Sequence, residues 1–584
     1  RRLGRILVGT LAVVGLLTLT LVGVAIWGLS HLDRDKPLPK RMVMTLDLEA
    51  EFQEGESGDP FRRFQGDKVY VLREVVAAID RAAKDERVTG LFATIGDPRL
   101  GMAGAQEVRD AVLRFRASGK PAVVFAETLG EAGGGTIAYY LASAFGEVWL
   151  QPSGDVGVTG FLAESPFFRG TLDMLGIQPR FSARHEYKSA IEAFTETGFS
   201  EKHAESLNAL LDSWMDQAVT GVAAARRLPP EKVRPLLGNG PLLAAEALSA
   251  GLVDKLGYRD DALAAASGLA TKPKEVDAGD YAARLSERGG TRVAVITGTG
   301  AIHRGESDAP FGADGFGSDT IAEAFRDAID DPEIKAILFR VDSPGGSYVA
   351  SDTIWHEVRR ARAAGKPVVA SMGEVAASGG YFVAMAADRV VAQPGTITGS
   401  IGVFSGKFVL ADFWNKLGVT WDRVERGDNA GMWSFNRDFS PQAWDRLNLM
   451  LDRIYDDFVA KAAQGRNLPA ERMDAVARGR IWTGADAQKV GLVDVLGGYD
   501  VALAEVRKLL KLSPDDTLDL ETYPKAKEPW QVLARALGGM GAGQAEMRTL
   551  ARVMKVLEPV AEQVDAAGPG AGMLRMPPLA TGGR

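Results

Sequence analysis

The sequence predicts an α/β protein in which one domain type occurs twice, behind a single membrane-spanning helix. Three observations carry this: an uncharged N-terminal run, an ordered set of internal matches at a nearly fixed offset, and strand signals alternating with helix signals. The composition agrees. The 584 residues are 46% hydrophobic and 25% charged, which places the chain in the core-forming class. With 68 Lys and Arg against 76 Asp and Glu, the net charge is −8. That leaves no basic excess to neutralise phosphates, so no nucleic-acid partner is expected. The absence of cysteine excludes disulfides, thiolate nucleophiles and cysteine zinc sites.

In chain order, residues 1–5 carry Arg1, Arg2 and Arg5 and read as a cytoplasmic N-terminus. Residues 6–29 hold no charge, and at 1.5 Å per residue they span roughly 36 Å, enough for a hydrocarbon core of about 30 Å. The flank after them, Asp33-Arg34-Asp35-Lys36, is balanced, so the positive-inside rule places everything beyond on the outer face. A cleaved signal peptide is the alternative. Its apolar region should be shorter and leave through small residues, whereas Trp27 and Leu29 stand here.

The duplication is read from matched motifs. Arg41-Met-Val-Met pairs with Arg292-Val-Ala-Val, and Gly55-Glu-Ser-Gly-Asp-Pro-Phe61 with Gly305-Glu-Ser-Asp-Ala-Pro-Phe311. Gly119-Lys-Pro121 pairs with Gly365-Lys-Pro367, and Gly251-Leu-Val-Asp254 with Gly491-Leu-Val-Asp494. The offset moves only from 292 − 41 = 251 to 491 − 251 = 240. Two homologous domains follow, 41–270 and 292–510, with a linker at 271–291 and a Gly-, Ala- and Pro-rich tail at 511–584 read as peripheral. Within a copy, β-rich runs such as 336–341 and 367–371 alternate with helical patterns such as 351–364, the signature of a parallel sheet.

Common chemical motifs fail. His185-Glu186 and His356-Glu357 start a zinc-protease motif, but Ser189 and Arg360 occupy the second histidine position. No metal site and no cofactor are expected. The second copy instead holds two glycine-rich turns: Asp342-Ser-Pro-Gly345-Gly346 after a strand, and Val375-Ala-Ala-Ser378-Gly379-Gly380-Tyr381 between a strand and a helix. A serine at a helix N-terminus faces unpaired N–H groups that favour a developing oxyanion, although an N-cap and a turn would look the same. The first copy discriminates. It reads Glu131-Ala-Gly-Gly-Gly-Thr136 and Ile95-Gly-Asp-Pro-Arg99 at those places. Conversely, Lys188 of the first copy, in Glu186-Tyr-Lys188-Ser-Ala-Ile191, meets Asp428 in the second. One copy holds a Ser and no Lys, the other a Lys and no Ser. A serine nucleophile without histidine needs another base, and a lysine that has lost its proton through burial can serve.

On these motifs the chain resembles the signal peptide peptidase A family in its long, tandem-duplicated form, from the anchor to about residue 510. The resemblance implies two crotonase-like (ClpP-like) domains and a membrane-bound serine endopeptidase with a Ser/Lys dyad that degrades released signal peptides. It makes Ser378 the nucleophile and Lys188 the general base. Ser400, in Thr398-Gly399-Ser400-Ile401-Gly402, becomes the group orienting the lysine, and Gly345, Gly346 and Gly379 the oxyanion donors. It further implies a homotetramer with peptides as partners. With the apolar run in the lipid bilayer of the inner (cytoplasmic) membrane, the catalytic domains are expected on its extracytoplasmic side, the periplasm in a Gram-negative source. Two alternatives differ in kind: a crotonase-type acyl-thioester enzyme, which an external location would deprive of coenzyme A, and a non-catalytic scaffold, which would not need Ser378 and Lys188 partitioned between copies.

Overall fold

The computed structural model describes residues 37–55, 68–131, 133–268, 274–284, 289–307 and 315–525, and the backbone of 574–575 and 580–581. Among these residues no helix is long and apolar enough to cross a membrane. The expected anchor at 6–29 lies outside them, as does most of the tail.

Each repeat is a parallel sheet, and the two sheets have the same strand order. The first runs Lys255–Leu256, Glu147–Leu150, Ala122–Ala126, Val88–Thr94, Met42–Asp47, Glu275–Asp277, every neighbouring pair parallel. In the second, Val495–Leu496, Arg389–Ala392, Val368–Ala377, Ala336–Ser343, Thr291–Thr299 and Leu518–Tyr523 repeat that path, again all parallel. The upper part of Val368–Ala377 also pairs with Ile397–Gly399, which is antiparallel to Ile481–Thr483. Parallel strands covered on both faces read as continuous apolar runs, as Ala336-Ile-Leu-Phe does. Helices Leu72–Lys84, Met102–Ala117 and Glu201–Arg226 pack one face of the first sheet, while Arg259–Ser267 packs the other against Phe92, Phe125 and Trp149. Ser318–Asp330, Tyr348–Ala363 and Pro441–Arg466 repeat the first layer, and Tyr499–Leu510 the second.

The repeat boundaries differ from those read in the sequence. Glu275–Asp277, within the expected linker 271–291, is the edge strand of the first sheet, and Leu518–Tyr523, beyond the expected end at 510, is its counterpart in the second. Only Val276 of the first strand is buried, so so short a strand between acidic residues leaves no periodic signal.

The repeats are fused across a buried seam. Gln178–Ala183 of the first pairs antiparallel with Phe404–Val409 of the second, clasped by Phe181, Phe194 and Phe408. Arg340, 1% exposed on the second sheet, binds Glu54 and Glu107 of the first repeat and lies 4.3 Å above the Tyr499 ring. Glu374 accepts N–H bonds from Ala103 (3.0 Å) and Gly104 (2.7 Å) at the start of Met102–Ala117, where a carboxylate complements the helix dipole.

Candidate active site

Ser378 stands where Val368–Ala377 turns into the helix Gly379–Ala384, four residues beyond the Glu374 that holds the other repeat. The turn is sharp enough to place this serine at φ 54° and ψ −113°, a region non-glycine residues rarely occupy. Its N–H donates to Gly399 O at 2.8 Å, and its side chain is fully buried. Strain held by surrounding hydrogen bonds is common where a side chain must be aimed.

Lys188 arrives from the first repeat, just before the turn Ser189–Ile191. Its Nζ lies 2.8 Å from Ser378 Oγ, 3.0 Å from Ser400 O and 3.1 Å from Ser400 Oγ. All three partners are neutral oxygens, and Lys188 is 3% exposed. Burial, with no carboxylate partner among the described residues, pushes its ammonium well below the usual lysine range, because desolvation penalises the charged form. Ser400 is itself held at φ 48°, with its N–H on Arg480 O at 2.7 Å. The structure thus brings together Lys188, Ser378 and Ser400, which stand far apart in sequence.

The glycines converge on the same turn. A methyl built on Gly379 would come within 2.9 Å of Gly346 N and 3.1 Å of Gly345 Cα, so the two loops touch only because these residues lack side chains. Gly345, at φ 105°, donates its N–H to Ser343 Oγ at 3.1 Å; it shapes the loop, and its amide is already engaged. The edge Gly345–Gly346 pairs antiparallel with Leu574–Arg575 of the tail.

The first repeat keeps the scaffold of this site without its chemistry. Gly135 N donates to Gly157 O at 2.7 Å, the contact that Ser378 N makes with Gly399 O, so a glycine occupies the serine's place. Thr136 beside it is buried, its hydroxyl accepting from Gly160 N at 3.0 Å. Asp428, which the sequence offset sets against Lys188, is exposed. Three histidines are occupied elsewhere: His185 packs at a tilt on Tyr455, His203 pairs with Glu192 at 2.9 Å, and His303 contacts Arg304 O. No group of acids and histidines suited to a metal ion occurs among the described residues.

Sequence reasoning missed the segment Arg478-Gly479-Arg480, against which Lys188 packs. A methyl on Gly479 would stand 2.4 Å from Lys188 N. The internal comparison held a signal: at the offset of 240, Gly238-Asn239-Gly240 stands opposite these two arginines.

The model of peptidase family S49 matches residues 114–272 and 360–513, one region in each repeat. A "Protease 4" from Salmonella typhi is 34% identical over 461 residues, covering 76% of this chain and 72% of that one. The chloroplastic serine protease SPPA of Arabidopsis thaliana is 31% identical over 473 residues, covering 79% and 68%. A ClpP1 variant from Listeria monocytogenes of known structure superposes on 36% of this chain and 94% of its own, at 12% identity and a TM-score of 0.23. With a family match in each repeat and relatives aligned along most of its length, the chain belongs to peptidase family S49 and is a serine protease.

Proposed function

We propose that the protein is a membrane-anchored endopeptidase that cuts released signal peptides and other short apolar peptides through a Ser378/Lys188 dyad. The observation that carries this reading is the 2.8 Å approach of a desolvated lysine amine to the buried Ser378 hydroxyl. Two N–H groups of the neutral amine donate to Ser400 O and Oγ, which aims its lone pair at the hydroxyl proton of Ser378. As Ser378 Oγ attacks a peptide carbonyl, the proton passes to Nζ and later to the leaving amine. The N–H groups of Gly346 and Gly379 are assigned to the oxyanion. The antiparallel pairing at Gly345–Gly346 favours an extended peptide as the occupant, since this edge accepts a strand.

Activity requires neutral Lys188, so kcat/KM rises with pH as the amine loses its proton, with a midpoint well below that of free lysine. A fluorophosphonate probe should label the protein in the same pH range, and labelling that persists in Ser378→Ala overturns the assignment. The anchor at 6–29, the outer-face location and the homotetramer rest on the apolar run and the family resemblance. Carbonate-resistant membrane retention of full-length protein, with protease access beyond residue 40 in spheroplasts, is the expected result; a soluble form beginning near residue 30 contradicts it. The mass of the detergent-solubilised particle tests the tetramer.

A further inference from the structure

Lys188 crosses from one repeat to reach a serine in the other, yet it belongs to no long helix or strand that would fix it. Its own loop is irregular, with His185 at φ 65°. What holds it lies in the second repeat. The lysine stem passes between two glycines: a methyl on Gly402 would stand 3.1 Å from Lys188 Cδ, and one on Gly479 would overlap the Lys188 backbone. The arginines flanking Gly479 grip the two residues that precede the lysine. Arg478 O accepts from Tyr187 N at 3.2 Å, and the Arg478 guanidinium binds both oxygens of Glu186 at 3.0 Å, with Asp474 at 3.2 Å. Arg480 lies 5.1 Å over the Tyr187 ring and 4.7 Å over that of Trp482, and donates to Glu205 at 2.9 Å; the Tyr187 hydroxyl donates to the same Glu205 oxygen at 2.9 Å. At its other end, Arg480 O holds the N–H of Ser400, which contacts the lysine amine.

We propose that Arg478 and Arg480 are positioning residues: together they register the Lys188 loop of the first repeat against Ser378 and Ser400 of the second. This rests on Lys188 acting as the base. The ion pairs are partly exposed, Arg478 at 36% and Glu186 at 38%, and such pairs contribute little to stability. Proton transfer, by contrast, is sensitive to misplacement: about 1 Å can lower a rate roughly 100-fold. The clasp therefore matters more to rate than to folding. Among the described residues the amine bonds Ser378 and Ser400, while the charges of Glu186, Glu205, Asp474, Arg478 and Arg480 surround the loop from outside.

The test uses the full chain in detergent with a fluorogenic peptide. Arg478→Ala, Glu186→Ala and Arg480→Lys, the last keeping charge but not the planar fork, should each lower kcat about 10- to 100-fold with KM nearly unchanged. Their thermal midpoints should stay near wild type. Water admitted to a loosened amine should move the pH–rate midpoint upward. Arg478→Ala combined with Glu186→Ala should be no worse than either alone, and Arg478→Ala should cost nothing further in a Lys188→Ala background. Wild-type kcat in Arg480→Lys and Glu186→Ala overturns the proposal. So do losses that add in the double variant, or that follow the unfolded fraction with the pH midpoint unmoved. An active Lys188→Ala protein would instead defeat the dyad reading itself.

Discussion

Ser378→Ala and Lys188→Ala are each expected to lower kcat by about four to six orders of magnitude, with the double variant barely worse than either, because a nucleophile and its base act as one unit. Lys188→Arg should be as inactive as Lys188→Ala, since a guanidinium keeps its proton near neutral pH. Ser400→Ala should cost far less, about 2- to 13-fold, the equivalent of one neutral hydrogen bond of roughly 0.5–1.5 kcal/mol. Stability should move the other way. An uncompensated lysine is neutral in the buried site and charged in the unfolded chain, so below the unfolded pKa its burial opposes folding, and the penalty fades as pH rises toward that value. Lys188→Met should therefore fold at least as stably as wild type at neutral pH while remaining inactive. Steady-state assays beside thermal melts check both halves; additive losses, or a competent Lys188→Arg enzyme, would refute the dyad.

Glu107→Ala is expected to destabilise the fold by about 1–3 kcal/mol, although it lies far along the chain from the serine, because it removes one of the two carboxylates on the buried Arg340 and leaves the buried Tyr499 N–H without its acceptor. Arg340 Nη2 donates to Glu107 at 2.7 Å and to Glu54 at 2.7 Å, while its Nη1 reaches Ser371 Oγ at 2.9 Å on the strand that leads into Ser378. Glu107 also accepts from Tyr499 N at 2.6 Å, and a side chain on Gly498 would collide with it. Removing the carboxylate leaves Arg340 to Glu54, Ser371 and Met372 O, and removes the bond from Tyr499 N to the first repeat. Replacing Arg340, Glu54 and Glu107 together by Met and Leu should be milder, since no charge then remains to be desolvated in the seam. Urea unfolding of the detergent-solubilised protein reads the difference as a shift of midpoint; a loss below about 1 kcal/mol for Glu107→Ala would show that Glu54 alone suffices for Arg340 in the seam.

The amino-acid sequence by itself determined the duplication, the α/β class and the partition of Ser378 and Lys188 between the copies. These are legible because strand and helix periodicity is local, and because a repeated chain provides its own comparison: a serine present in one copy and missing from the other is visible without coordinates. The sequence also held the glycines at 345, 346 and 379, although their shared reason, two loops in contact, appears only in three dimensions. Tertiary structure alone decided the rest. The edge strand Glu275–Asp277 is recruited by a sheet already formed, and three residues are too few to carry a signal, whereas Leu518–Tyr523 alternates as Leu-Asp-Leu-Glu and was legible. The Arg340 network and the clasp of Arg478 and Arg480 join residues from different repeats, separations at which spacing says nothing. Above all, the lowered proton affinity of Lys188 is a property of its surroundings, because desolvation depends on what the completed fold packs around an amine.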